Sequence, residues 1–303
     1  MISCYNEWGS LREIVVGSAT AANWPVADPV WSQESQFTAW HQSPVPQGPV
    51  PQWIIDQANL ELDQLSELLQ SHRIRVHRPA YRNFVAHDGF STYCPRDRLL
   101  IYGHTVIDPA MLYPCRDQEI DCYQTVLQRT TDIRHMPRNA GMVLDAANVL
   151  KFDDRMLFLL SRSGNAEACA WLQQQFPQVK IETCEFYSGV HIDSTIMPLR
   201  NGLVLLNASR VRFDTVPRMF DGWQKIWITD VAEKSFYQYP YASKWIGMNL
   251  LVVDHQTCVV DQEQTQLIQT LRSYKFDVIP MPLTHSRTLG GGFHCATLDL
   301  VRE

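Results

Sequence analysis

The apolar residues of the chain follow a pattern of hairpin, helix and strand that occurs at least twice. Two apolar runs, 148–152 and 156–160, flank Asp153-Asp154, and this spacing predicts a β-hairpin. Residues 166–176 have the periodicity of an amphipathic helix, and 179–186 alternate like a strand. We therefore predict a unit of roughly forty residues, a length typical of repeat architectures.

The same pattern returns near the end of the chain. Apolar runs at 249–253 and 258–260 predict a second hairpin, which a helix over 264–274 and a strand over 276–281 complete. Weaker copies begin at 98–108 and at 194–207, where Asn201-Gly202 supplies the positive-φ turn of a hairpin. A strand at 11–17, a helix over 54–71 and a strand at 74–76 suggest a fifth unit. Composition does not change between the units, so we expect one α/β domain over 1–303.

Residues 18–53 interrupt this pattern with an aromatic and proline-rich segment. It holds four tryptophans and a cluster of four prolines, at Trp24, Trp31, Trp40, Trp53, Pro44, Pro46, Pro49 and Pro51. A disordered linker is poor in aromatic residues. We therefore predict an aromatic-anchored loop or lid.

Three consecutive glycines, Gly290 to Gly292, precede Cys295 and a predicted strand at 297–301. Glycines permit a tight turn and close packing against the backbone, so Cys295 is either a presented nucleophile or a buried core cysteine. The first full unit ends in a similar turn. Aligning Gly189 with Gly292 places His191 opposite His294, and equivalent turns in a closed repeat array converge on its axis. On this reasoning His191 and Cys295 become neighbours.

Three aspartates, Asp97, Asp145 and Asp193, lie beside predicted strand ends among apolar or small residues. Each alone is more typical of a turn or helix cap. Together with His191 and Cys295 they form a thiol, a base and several carboxylates. Such a cleft favours a planar cation that donates paired hydrogen bonds.

Composition excludes several other classes of function. The net charge of −6, from 26 basic and 32 acidic residues, gives no basic surface for nucleic acid. The eight cysteines show neither disulfide-framework nor zinc-site spacing, so we interpret them as reduced thiols. There is no apolar run of ~20 residues for a membrane span and no signal peptide, which predicts a cytoplasmic location.

The order of several motifs resembles that of the L-arginine amidinotransferases, which include glycine, inosamine-phosphate and cyanobacterial-toxin amidinotransferases. These motifs are Tyr5-Asn6-Glu7-Trp8, Pro95-Arg96-Asp97, Asp145-Ala146-Ala147, His191-Ile192-Asp193-Ser194-Thr195, Ser243-Lys244-Trp245, Met248-Asn249 and Gly290 to Cys295. The resemblance spans nearly the whole chain except about 18–90. It implies the pentein fold, a five-bladed, pseudo-fivefold α/β propeller shared with arginine deiminases.

The resemblance also implies roles for individual residues. Cys295 would be the nucleophile, His191 the general acid/base and Asp145 the carboxylate that orients it. Asp97 and Asp193 would bind the guanidinium group. Arg210 and Ser243 would hold the α-carboxylate region of the substrate, with Arg212 or Arg200 as alternatives for the arginine.

The implied reaction moves the amidino group of L-arginine to Cys295, releases ornithine and passes the group to a primary amine, with ping-pong kinetics. No metal or organic cofactor is needed, and a protonated His191 is expected to lower the pKa of the Cys295 thiol. Two alternatives stay open: a hydrolase of the same fold, such as an arginine deiminase or dihydrolase, and a catalytically silent binding protein.

Departures from the family pattern concern the second substrate. Ser188-Gly189-Val190 replaces Asn-Pro-Met of glycine-type members, Ala296 replaces a common tryptophan, and Asn148 stands where many members have aspartate. The stretch between Asp97 and Asp145 is short. The acceptor is therefore open, and so is the oligomeric state, since dimers occur in the family.

Overall fold

The computed structural model describes residues 1–32, 45–186 and 191–303. Its strands, β1 to β17 in chain order, are Leu11–Val16, Asn23–Trp24, Gly48–Pro49, Arg75–His77, Leu100–Tyr102, Thr105–Asp108, Ile133–His135, Val149–Phe152, Arg155–Leu159, Lys180–Cys184, Ile196–Arg200, Leu203–Asn207, Gln224–Ile228, Leu251–Val252, Thr257–Asp261, Asp277–Met281 and Thr297–Arg302. The α-helices whose full extent is described, α1 to α6, are Gln52–Ser71, Pro95–Arg98, Gln124–Leu127, Ala166–Gln175, Thr265–Ser273 and Ser286–Leu289. Short 3₁₀ segments, among them Pro114–Tyr123, Ala146–Asn148 and Lys244–Met248, connect them.

Five three-stranded sheets share one pairing scheme, in the orders β17-β1-β4, β5-β6-β7, β8-β9-β10, β11-β12-β13 and β14-β15-β16. In each sheet the first two strands pair antiparallel and the third joins the second in parallel. A parallel partner requires a crossover connection, which α1, α4 and α5 provide in three of the sheets. The predicted repeat and the α/β class are therefore confirmed.

The boundaries follow the predictions closely, with one instructive difference. The helix predicted over 264–274 is α5, and Gly202 adopts φ +80° in the predicted hairpin turn. The strand predicted at 249–253 shortens to β14, Leu251–Val252. Asn249, the first residue of the predicted strand, instead accepts a backbone hydrogen bond from Phe293 at 2.9 Å, which ties Asn249 to the glycine-rich turn.

The two ends of the chain meet in one sheet. β1 pairs antiparallel with β17, from Leu11 opposite Arg302 to Val16 opposite Thr297. The ends bury apolar side chains on both faces, including the fully buried Ile14 and Leu300. Because β17 follows Cys295 directly, this pairing fixes the turn that carries the cysteine.

In the described part of the aromatic segment, two tryptophans pack against one tyrosine. The Trp24 ring stacks on Tyr241 with centroids 6.2 Å apart, and Trp31 lies 5.2 Å from the same ring. Trp53 is 54% exposed, whereas Trp40 lies outside the described residues. Tyr241 also lies beside Gly290, so the segment packs next to the glycine-rich turn.

All eight cysteines lie in the described residues and are free, as predicted. Among the helices that the structure describes, none combines the length and the apolar character needed to cross a bilayer.

Candidate active site

The five sheets present polar residues at equivalent places. Two to four residues before the first strand of each sheet stand Cys295, Asp97, Asp145, Asp193 and Asn249. All five are 3% exposed or less. A repeated fold brings equivalent connections to the same end of each unit, so one rule of position accounts for the whole set.

The Cys295 side chain lies between an acidic and an amide group. Its Sγ donates to Asp193 Oδ2 at 3.1 Å, and Asn249 Nδ2 donates to Sγ at 3.2 Å. Asn249 Oδ1 also accepts the Cys295 backbone N–H at 3.0 Å. The amide thus holds the cysteine by both its backbone and its sulfur.

The glycines before Cys295 are required by space. A Cβ at Gly291 would stand 2.4 Å from Cys94 Sγ and 2.9 Å from Cys295 Cβ. A Cβ at Gly292 would stand 2.6 Å from that of Asn249. Real Cβ atoms do not approach this closely, so only glycine lets Cys295 sit against its neighbours.

The surroundings of the Cys295 thiol disfavour its charged form. Burial raises the pKa of Cys295 well above its usual range, and the charges of Asp193 and Asp97 raise it further. A carboxylate beside a thiol opposes the thiolate. These surroundings favour the neutral thiol of Cys295, which donates a hydrogen bond to Asp193.

His191 lies between two carboxylates. Its Nε2 is 3.1 Å from Asp145 Oδ2, and its Nδ1 is 3.6 Å from Asp97 Oδ1. Burial favours the neutral ring, but the charge of Asp97 and the hydrogen bond and charge of Asp145 outweigh it and raise the pKa of His191 to about 9. His191 is thus an imidazolium at neutral pH.

His191 and Cys295 border one site through shared carboxylates. Asp193 and Asp97 each act on the ionisation of both side chains. Ser188 to Val190, which include the Gly189 aligned with Gly292, lie outside the described residues.

One Asp97 oxygen accepts a hydrogen bond, and the other makes a longer ion contact of 3.6 Å with His191 Nδ1. Oδ2 accepts from Arg116 Nη1 at 2.8 Å, and Arg116 is itself held by Glu119 through two hydrogen bonds of 2.8 and 3.0 Å. Oδ1 is buried and has no hydrogen-bond donor among the described residues. Burial raises the pKa of Asp97 despite the nearby cations. An unsatisfied buried carboxylate oxygen is costly, and a bound donor would relieve it.

Arg210 and Ser243, predicted as a pair, are in contact. Arg210 Nη2 donates to Ser243 Oγ at 2.9 Å, and Nη1 donates to Ser194 Oγ and Thr195 Oγ1 at 3.0 and 2.9 Å. These two hydroxyls directly follow Asp193 in the chain.

The alternatives to Arg210 lie against other groups. Arg212 pairs with Asp214 on the surface, with its side chain 74% exposed. Arg200 donates to the carbonyl of Tyr274 and lies over the Phe276 ring at 4.9 Å.

Sequence reasoning missed Arg116, Glu119 and the role of Asn249. Arg116 and Glu119 come from a 3₁₀ segment without a recognisable pattern, so no sequence signal marked them. Asn249 is the first residue of a predicted strand and so stands at a strand end, as Asp97 and Asp145 do, and that position was an available signal. Asn148, where many family members have aspartate, donates to Ser163 and secures the turn after Asp145.

No cluster of three or more His, Cys, Asp or Glu side chains suited to a metal ion occurs in 1–32, 45–186 or 191–303. The side chains that form the site carry carboxylate, imidazole and thiol groups.

Comparison with known proteins places this arrangement in a family. No model of a known protein family matches the chain. An inosamine-phosphate amidinotransferase of Streptomyces glaucescens is 41% identical, over all of this chain and 97% of the relative. The solved structure of an inosamine-phosphate amidinotransferase from Streptomyces griseus superposes with a TM-score of 0.92 at 36% identity, covering 100% of this chain and 97% of the other. An amidinotransferase of saxitoxin biosynthesis from Microseira wollei gives 0.88 at 25% identity, with the same coverage. The chain belongs to the amidinotransferase family.

Proposed function

We propose that the protein transfers the amidino group of L-arginine through Cys295 to a primary amine and releases L-ornithine. The observation that carries this proposal is the pair of buried carboxylates beside the thiol. Asp193 contacts Cys295 directly, and one buried oxygen of Asp97 has no hydrogen-bond donor within 1–32, 45–186 and 191–303. A guanidinium group is planar and presents paired N–H donors, which matches two carboxylates.

The rest of the arginine would be held by Arg210 and Ser243. A guanidinium side chain suits the α-carboxylate of an amino acid, because it forms two parallel hydrogen bonds. Arg210 is positioned by the hydroxyls of Ser194 and Thr195, next in sequence to Asp193. The guanidinium end of the substrate would thus bind Asp193, and its carboxylate end would bind an arginine that is held by the two residues after Asp193.

Substrate binding would itself activate the nucleophile. Burial and the charges of Asp193 and Asp97 raise the pKa of Cys295. A bound guanidinium would offset both carboxylate charges, so the thiol proton would pass to solvent as arginine binds, and the thiolate could attack the guanidinium carbon. The reactive thiolate would therefore form only when arginine is bound.

His191 would manage the protons of both half-reactions. As an imidazolium it donates a proton to the departing δ-nitrogen while the C–N bond breaks, which leaves ornithine, a neutral imidazole and an amidino-cysteine. A neutral acceptor amine then attacks the amidino carbon, His191 takes the surplus proton, and the C–S bond breaks to regenerate the thiolate. General acid–base assistance of this kind is worth ~10²–10⁴-fold.

We also propose that the five sheets are blades of one pseudo-fivefold propeller domain. Their identical pairing scheme and the joining of β1 to β17 support this arrangement. The hydrogen bonds that connect the residues before their first strands also support it, for example those from Asn249 to Cys295 and Asp193.

The acceptor is proposed to be an amine of natural-product biosynthesis, since the relatives include inosamine-phosphate and saxitoxin-pathway amidinotransferases. The described part of the aromatic segment, 18–32 and 45–53, packs beside the glycine-rich turn and is proposed to shape the acceptor side of the site. Relatives also include an L-arginine:L-lysine amidinotransferase and glycine amidinotransferases, so inosamine phosphate, L-lysine and glycine are the first acceptors to compare.

The proposal is tested by incubating the protein with arginine alone and measuring ornithine, citrulline and ammonia. We expect one equivalent of ornithine per active site and then no further release, because the amidino-cysteine waits for an amine. Addition of the correct acceptor should restore steady release. Continuous citrulline and ammonia without any acceptor would instead identify a hydrolase.

A further inference from the structure

Glu7 is a buried acid that the proposed reaction does not use. It comes from the motif Tyr5-Asn6-Glu7-Trp8 before β1, and it is 2% exposed. Its Oε2 lies 3.3 Å from Nε2 of His294, the residue preceding the nucleophile. The other ring nitrogen of His294, Nδ1, lies 2.9 Å from Asp193 Oδ2. A continuous chain of contacts therefore runs from Glu7 through His294 and Asp193 to Cys295.

The geometry determines the protonation state of His294. An ionised carboxylate only accepts hydrogen bonds, so a ring nitrogen that faces one must carry a proton. Both ring nitrogens of His294 face carboxylate oxygens. The side chains of His294, Glu7 and Asp193 are all almost completely buried. If Glu7 and Asp193 are both ionised, each ring nitrogen of His294 therefore donates a hydrogen bond to a carboxylate.

Both acids remain ionised for physical reasons. Burial would raise the pKa of Glu7, but the charge of Lys151, the hydrogen bond from His294 and the charge of Arg96 outweigh it and lower the pKa to about 2. Burial would likewise raise the pKa of Asp193, but the hydrogen bond and charge of His294 and the charge of His191 hold it well below its usual range.

The charged and titratable groups around this chain of contacts come from several elements. Glu7 faces Arg96 at 3.4 Å and Lys151 at 3.6 Å. Asp299 and Asp193 act on the ionisation of Arg96, and Cys4 and Asp299 act on that of Lys151. His191 and Cys295 act on Asp193, Asp97 acts on Cys295, and Arg302 acts on Asp299. Among these contacts, Glu7 is the acid that lies on the side of His294 opposite Asp193.

We propose that Glu7 is a positioning residue of the active site. It holds His294 as an imidazolium with Nδ1–H directed at Asp193, and so keeps the Asp193 carboxylate ionised and oriented beside Cys295. Glu7 touches neither substrate nor nucleophile, and it acts through His294. The inference rests on the proposed function in one respect, the role of Asp193 in binding the guanidinium group.

The first test is spectroscopic and independent of activity. Histidine ring nitrogens are labelled with ¹⁵N, and the His294 signals are identified by their loss in His294→Asn. At pH 7.5 we expect both His294 nitrogens to be protonated in the wild type and one to be unprotonated in Glu7→Gln. A singly protonated His294 in the wild type would overturn the proposal, whether or not Glu7→Gln folds.

The second test is kinetic and has a matched control. Asp299→Asn perturbs the same buried network, since Asp299 contacts Arg96 at 2.9 Å and Arg302 at 2.8 Å, but it leaves both partners of His294 in place. For Glu7→Gln we expect kcat/KM for arginine to fall about 10- to 100-fold, the effect of losing one charge-assisted hydrogen bond, mainly through KM. Asp299→Asn should change it less than about 3-fold at equal fraction folded.

Equal kinetic losses in the two variants would mean that Glu7 only stabilises the fold, and would overturn the positioning role. Failure of the proposed function is a different observation, namely no ornithine from the wild type with arginine. In that case the ring-nitrogen signals still decide whether Glu7 sets the state of His294.

Discussion

Replacing Asp145 with asparagine should separate the acid–base function of His191 from substrate binding. Asp145 Oδ1 accepts the Leu112 backbone N–H at 3.0 Å, so the asparagine oxygen would stay there and the amide NH₂ would face His191. His191 Nε2, 3.1 Å away, would then have to accept a hydrogen bond instead of donating one. The neutral ring would carry its proton on Nδ1, the nitrogen that must receive the proton of the acceptor amine.

The magnitude follows from the contacts of His191. Its pKa of about 9 depends on the charges of Asp97 and Asp145 and on the hydrogen bond to Asp145, all acting against burial. Loss of one charge-assisted hydrogen bond of about 1.5–3 kcal/mol lowers the pKa by roughly 1–2 units, at about 1.4 kcal/mol per unit. We expect kcat to fall ~10²–10⁴-fold and KM for arginine to change less than about 3-fold.

The assay measures single-turnover ornithine release and steady-state transfer from pH 6 to 10. The alkaline limb of the release step, which reports loss of the imidazolium, should move to lower pH in Asp145→Asn. Asp108→Asn is the matched control, because Asp108 also contacts a histidine, His135, at 2.7 Å, but is not among the residues before the first strands. Equal losses in kcat and KM, or an unmoved alkaline limb, would refute the orienting role of Asp145.

Three further predictions concern the nucleophile, its turn and the charge of His191. Cys295→Ser should form no covalent adduct with arginine and release no ornithine by mass spectrometry and amine analysis; surviving turnover would exclude Cys295 as the nucleophile. Gly291→Ala should lower kcat at least ~10-fold, because the added Cβ meets Cys94 Sγ at 2.4 Å and Cys295 Cβ at 2.9 Å, whereas Gly222→Ala, with open space around it but φ +78°, should reduce stability alone. Because the pKa of His191 is raised in the folded state, its contribution to the free energy of unfolding is complete below pH ~6.5 and is lost as pH rises through about 9. Denaturant titrations should therefore show an alkaline loss of up to about 3 kcal/mol that His191→Asn lacks, and identical pH dependence of the two proteins would contradict the ion contacts of His191.

Much of the fold was predictable because each unit is specified locally. The apolar runs in 148–160 predict two buried strands around a turn, and the helical period in 264–274 predicts a helix with one buried face. The structure confirms these elements. The strand at 249–253 was overpredicted because Asn249 bonds to the distant Phe293, and no local pattern records such a contact.

The sequence by itself determined the repeat, the family and the candidate groups, since these depend on residue types at regular spacing. Only the tertiary structure decided how those groups act on one another. It shows the Cys295 thiol facing Asp193, His191 between Asp145 and Asp97, and Glu7 behind His294. The physical reason is that ionisation inside a protein depends on burial and on charges a few ångströms away, and those distances exist only after segments far apart in the chain have packed together.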